Sequence, residues 1–160
     1  MEEFQDFLKQ EKTKRENKPT PDNFDELVRE WKLEVKKLHD QLEMWLRPER
    51  EEELIDILRG YPTSVREEGL PEWEIDIFII FFEELEIMLR PESRFSGKYE
   101  GTLAIETDKV HGKFIHCPER EVTGFNDWFI KQEDEKKPLT ENNFKQTLKN
   151  IIKKAGKFTD

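Results

Sequence analysis

The chain has one cysteine, Cys117, and three histidines. No intrachain disulfide framework can form, and little is left for a zinc site. No apolar run reaches the ~18 residues of a membrane-spanning helix. The opening stretch MEEFQDFLKQ is acidic and polar rather than leader-like, so cytoplasmic residence is expected. Neither G-x-x-x-x-G-K nor G-x-G-x-x-G occurs, which leaves phosphate cradling without a motif. Hydrophobic residues are also scarce, at 34% against 40% charged, a balance near that of disordered chains. Basic residues are outnumbered, and the net charge of −10 speaks against direct nucleic-acid binding, which needs a basic footprint.

Against these shortages stand twelve Phe, four Trp and two Tyr. Aromatics bury large areas each, so a small, dense core under a heavily charged surface is expected. The 160 residues fit one domain of ordinary size. Charge is uneven along the chain: residues 61–107 carry eleven acids against four bases, and residues 108–160 nine against eleven.

The most periodic stretch runs from Asp22 to Leu46. Val28, Trp31, Val35, Leu38, Leu42 and Trp45 form one apolar stripe of a helix, with charged residues opposite. Asp22 is the expected N-cap, and Pro48 places the helix end near Leu46–Arg47. Ahead of it, residues 2–11 suit a short helix with Phe4, Phe7 and Leu8 on one side. KTKRENKPTP then reads as a linker, so residues 1–21 are an arm and 22–160 a single α+β domain. Phe4 and Phe7 fit either a docking peptide or a satellite of the core, the satellite being preferred. After Pro48, which also suits the first position of a second helix, Leu54–Arg59 is read as an edge strand.

From Trp73 the period becomes two. Trp73, Ile75, Ile77, Ile79 and Phe81 share one face of a strand; Glu74, Asp76, Phe78, Ile80 and Phe82 share the other. LEIMLRP repeats the alternation, followed by TLAIET, VHGKFIHC and FNDWFIKQE. A final helix starts at Thr140 and carries Phe144, Leu148, Ile151, Ile152 and Ala155 inward until Gly156. The expectation is α+β: a long N-terminal amphipathic helix and a C-terminal helix packed on an antiparallel meander of four to five strands.

Chemistry-bearing constellations are thin. His111, His116 and Cys117 are the only soft metal ligands close together, yet His111 and His116 fall on opposite strand faces. His111 and Cys117 share a face but stand about 20 Å apart at about 3.3 Å per residue. Glu74 with Asp76, and Glu106 with Asp108, are carboxylate pairs of the kind that solvated sheet faces produce. Ser64, Ser93 and Ser96 lack a nucleophile elbow. No catalytic, cofactor-binding or metal-ligating residue is therefore expected.

What remains is surface. Phe78, Ile80, Phe82 and Met88, bordered by Glu74, Asp76, Glu86 and Arg90, form a candidate apolar patch with a charged rim. With Phe4 and Phe7 they are the expected partner-binding residues.

In the order of its features the chain resembles a type of small uncharacterised bacterial α+β protein. Met44-Trp45-Leu46, Glu67-Glu68-Gly69, Ile87-Met88-Leu89-Arg90-Pro91, Trp128, and Leu139-Thr140-Glu141 with Phe144 and Leu148 carry the likeness. Tyr99-Glu100-Gly101 replaces the usual hairpin, and no activity attaches to the type. The functional expectation is a non-catalytic interaction module, an accessory or adaptor subunit of a larger bacterial system such as a defence system. The expected partner is another protein, a basic surface being the complement of the acidic middle of the chain, and not a membrane or nucleic acid. The alternatives are an acidic inhibitor, immunity or nucleic-acid-mimic protein, and a metal-dependent hydrolase using Glu74, Asp76 and Glu106.

Overall fold

The computed structural model describes residues 2–16, 23–93, 101–107, 111–116, 128–132 and 135–156. A first helix, α1, spans Glu2–Glu16, longer than its three apolar residues required. The periodic stripe becomes α2, Phe24–Trp45, with Asn23 at the N-cap position and Asp25 and Glu26 in the first turn, where carboxylates suit the helix dipole. Val28, Trp31, Val35, Leu38 and Leu42 are all buried, as the spacing predicts. The expected cap, Asp22, lies outside the described residues. A short helix α3, Arg47–Glu51, opens with Pro48 near its start.

Seven strands follow: β1 Asp56–Val65, β2 Trp73–Phe82, β3 Leu85–Ser93, β4 Gly101–Glu106, β5 His111–His116, β6 Trp128–Gln132 and β7 Glu135–Pro138. They form one antiparallel sheet in the order β1-β2-β3-β4-β5-β6-β7, a meander in which every strand pairs with its sequence neighbour. The class is the expected α+β; the sheet is wider than four to five strands. Leu54–Arg59 does contribute an edge strand, starting at Asp56, and β7 is added where no strand pattern stood out, since Glu135–Pro138 is almost wholly polar.

Helix α4, Glu141–Gly156, closes the chain. Thr140 caps it: its Oγ1 accepts the Asn143 backbone N–H at 3.1 Å. Lys145 ties it to α3 through Glu49 at 2.9 Å.

Both long helices lie on one sheet face. The core joins Trp31, Leu38 and Leu42 of α2 and Phe144, Leu148 and Ile151 of α4 to Ile57, Phe78, Ile80, Ile87, Leu89, Leu103, Ile105 and Ile130. The strand registers explain why these meet: Ile57 stands opposite Ile80, Ile80 opposite Ile87, Phe78 opposite Leu89, and Leu89 opposite Ile105. Cross-strand partners share a face, so one alternation runs across four strands. Trp31 stacks against Trp128 at 5.6 Å and Trp45 against Phe144 at 6.1 Å.

Candidate functional site

The expected apolar patch does not exist as a surface. Phe78 and Ile80 are 0% and 2% exposed, packed beneath α2 and α4. Met88 stands opposite Ile79, on the other side of the sheet from Phe78 and Ile80, so the set is not even coplanar in its facing. Phe82 is half-buried at the end of β2. The cause is a change of phase within β2. Trp73 and Ile75 enter the core from odd positions, whereas Phe78 and Ile80 enter it from even ones. Opposite the Ile77–Phe78 step, β1 carries an extra residue: Arg59 pairs with Phe78 and Tyr61 with Ile77, leaving Gly60 between them. Gly60 has φ 78°, the left-handed geometry of a glycine bulge, which bends a strand and sharpens its twist. Isolated glycine inside a strand pattern is a signal for such a bulge, and it was available in Leu58-Arg59-Gly60-Tyr61.

Glu74 and Asp76, before the phase change, stay exposed and line a groove between α2 and the β1–β2 hairpin. The groove has a volume of about 680 Å³. Arg29, Lys32 and Lys36 form its helix wall, at steps of three and four that place them on one side of α2. Glu74 and Asp76 form the strand wall, and Leu33, Val35, Pro62 and Ile75 give it an apolar lining. Leu33 is 54% exposed, a large apolar side chain presented to solvent from within a charged frame. The cleft continues toward the start of α2, where Phe24, Val28 and Pro71 join Arg29, Lys32 and Glu74. Among the described residues, Arg29, Lys32, Lys36, Glu74 and Asp76 take part in no ion pair.

At the other end of the groove Arg59 is clamped. It donates to Glu43 at 2.6 Å and reaches Asp40 at 2.8 Å, so it joins β1 to α2. Its hydrogen bond to Glu43, assisted by Arg50, holds the Glu43 carboxyl below the ordinary carboxylate range. Beside it His39 is 2% exposed, its ring 5.2 Å from that of Phe78, and its Nε2 has no hydrogen-bond partner. Burial, with the Arg59 charge nearby, lowers its pKa from 6.5 to about 4, so the imidazole is neutral at physiological pH. The Val35–Leu42 stripe already contained the signal, since position 39 lies one turn from Val35. No sequence spacing announces the Arg59 clamp, whose members come from separate elements.

The carboxylates do not assemble into a metal centre. Glu106 sits on β4 with both oxygens bonded by Arg90, at 2.8 and 3.3 Å, while Glu74 and Asp76 lie on the stretch of β2 before its pairing with β3 begins. Among the described residues no group of three His, Cys, Asp or Glu is placed to hold a metal. Cys117, Asp108, Ser96 and the side chains of His111 and His116 lie outside the described set. No helix in that set is long and apolar enough to cross a membrane. Phe4 and Phe7 are 62% and 56% exposed, which overturns the satellite reading: α1 does not bury its aromatic side in the core. Comparison of the chain with protein-family models, curated proteins and solved structures finds no match.

Proposed function

We propose that the chain is a non-catalytic protein-interaction module, an accessory or adaptor subunit, and that it docks a partner in the α2–hairpin groove. One observation carries this reading: an apolar lining of Val35, Pro62 and Ile75 lies between two walls of opposite charge that take part in no ion pair among the described residues, with the exposed Leu33 at the outer edge of the basic wall. An apolar centre framed by charge is the anatomy of a docking surface, in which the centre supplies affinity and the rim supplies orientation. The partner is expected to present an amphipathic helix, apolar along one side and charged on both flanks.

The test is affinity capture from the native host with the wild-type chain and with folded Leu33→Asp and Lys32→Glu/Lys36→Glu variants. A partner held by wild type and lost by at least tenfold from the variants supports the groove. Equal recovery by all three chains sinks it. Phe78→Asp is not a usable control, because a charge at a fully buried core position unfolds the domain.

A second reading, an acidic inhibitor of a basic cleft, is favoured by exposed carboxylates at Glu72, Glu74, Asp76, Glu83, Glu84 and Glu86 around the β2–β3 hairpin. Charge mimicry of this sort is screened by salt, whereas a groove with an apolar lining is screened less. Binding that collapses on moving to high salt selects the inhibitor reading.

A further inference from the structure

In the α2–hairpin groove, Arg29, Lys32, Lys36 and His39 follow one another at steps of three, four and three, so they form one row along α2. The row starts in solvent and ends in the core: the three cations are exposed, whereas His39 is 2% exposed. His39 lines the groove, and its Nε2 has no hydrogen-bond partner. The imidazole is neutral, so Nε2 donates or accepts according to the tautomer. Lys36 stands one turn before His39 on the helix. On the strand, Asp76 stands two residues, about 7 Å, before Phe78, whose ring meets that of His39. A cation, a buried ring nitrogen and a carboxylate thus border one apolar floor of Val35, Pro62 and Ile75. Arg59 adds no open charge there, because Asp40 and Glu43 already hold it.

We propose that the groove binds a small zwitterion with a branched apolar body, a free α-amino acid or a short peptide of such residues. The carboxylate lies against Lys32 and Lys36, the ammonium against Glu74 and Asp76, and the apolar body on Val35, Pro62 and Ile75. Among the described residues the two walls form no ion pair with each other or with anything else, so both are open to a ligand. A molecule with both charges bridges them; a molecule with one charge faces its own sign across the groove. At the buried end, a hydrogen bond to His39 Nε2 relieves the cost of a polar atom left without a partner. The volume of about 680 Å³ lies within the range of small-molecule sites. The ligand shares the groove with the proposed partner but does not depend on that reading.

Calorimetric titration of the full-length chain with L-leucine and with L-leucyl-L-leucine tests it. Saturable binding at millimolar concentration or below is expected for at least one of them. Tighter binding of the dipeptide assigns the site to peptides, and tighter binding of leucine to the free amino acid. 4-Methylpentanoate and 3-methylbutylamine each lack one of leucine's charges, and both are expected to bind at least tenfold more weakly than the zwitterions. Lys36→Met and Asp76→Asn change exposed positions, and each is expected to weaken binding about tenfold by removing a charge-assisted hydrogen bond. Lys37→Met, which removes a charge outside the lining, is expected to leave it unchanged. The proposal is overturned if neither zwitterion binds, if the one-charge analogues bind equally well, or if Lys37→Met weakens binding as much as Lys36→Met. Failure of both zwitterions to bind, with the captured partner still lost on Leu33→Asp, removes the ligand site alone. Binding as expected, with the same partners captured by Leu33→Asp, removes partner docking alone.

Discussion

At position 39 a histidine sits in the buried stripe of α2 between Leu38 and Leu42, against the ring of Phe78. Its folded pKa is about 4, below the 6.5 it has when solvated. Between those values the unfolded chain holds a proton at this site that the folded chain does not. Stability is therefore full above about pH 6.5 and falls as the pH drops toward 4, by an amount approaching about 3 kcal/mol at 1.36 kcal/mol per unit. His39→Leu is expected to flatten this slope in urea titrations taken across the window; an unchanged slope would contradict the buried neutral imidazole. Glu43, depressed by its hydrogen bond to Arg59, acts lower down, losing its contribution as pH falls below the ordinary carboxylate value of 4.5. The two groups are thus separable by pH. Gly101 makes a second residue-scale case. A Cβ there would stand 2.7 and 2.8 Å from Cζ2 and Cζ3 of Trp31, and closer still to Cη2. Neither the strand backbone nor a 2%-exposed indole has room to yield, so Gly101→Ala is expected to cost about 1–3 kcal/mol by overpacking. Thermal melts of the variant check it.

Among the elements, β1 decides which face of the hairpin is core. Gly60 meets nothing within 4 Å, so replacing it raises no clash; the cost lies in its φ of +78°. Gly60→Ala is expected to lose about 1 kcal/mol, and Gly60→Val more, because a β-branched side chain resists the left-handed region. Equal stability of all three chains would mean that the bulge is not held at this residue. The same bulge marks where the sequence stopped being legible. The stripe of α2 and the inward set of α4 could be read because each has one apolar phase and a charged complement. The first half of β2 was legible for the same reason: Glu74 and Asp76 mark the outside. From Ile77 to Phe82 both phases are apolar, so alternation contains no information about facing, and one inserted residue in the neighbouring strand settles it. The patch of Phe78, Ile80, Phe82 and Met88 was an artefact of carrying the early phase through that run. Glu74 and Asp76 precede that run, and both are exposed as their phase implies. Strand β7 went unread for the opposite reason: its Lys136 lies 4.2 Å above the Phe129 ring on β6, a stabilising contact that only the pairing creates.

At the scale of the molecule, a meander has an intrinsic weakness, since each strand touches only its neighbours in sequence and the two ends of the sheet need not communicate. Here the helices supply the long connections. α2 enters the chain before the first strand, yet its Trp31 stacks on Trp128 of the sixth at 5.6 Å, and Trp128 in turn accepts the Leu139 backbone N–H at 2.9 Å, just before α4 begins. Trp45, at the other end of α2, meets Phe144 of α4. The two helices therefore clasp the sheet from both ends of the sequence, and all three parts share one buried cluster. A structure held this way has no subset of strands that can melt while the helices remain packed. Urea unfolding followed by far-UV circular dichroism, which weights the helices, and by tryptophan emission, which reports Trp31, Trp45, Trp73 and Trp128 together, is expected to give coincident transitions. Trp128→Ala is expected to cost about 3–5 kcal/mol and to move both transitions together. If the helical signal persisted while the emission changed, the helices would be stable without the sheet, and the clasp would have to be assigned to α2 and α4 alone.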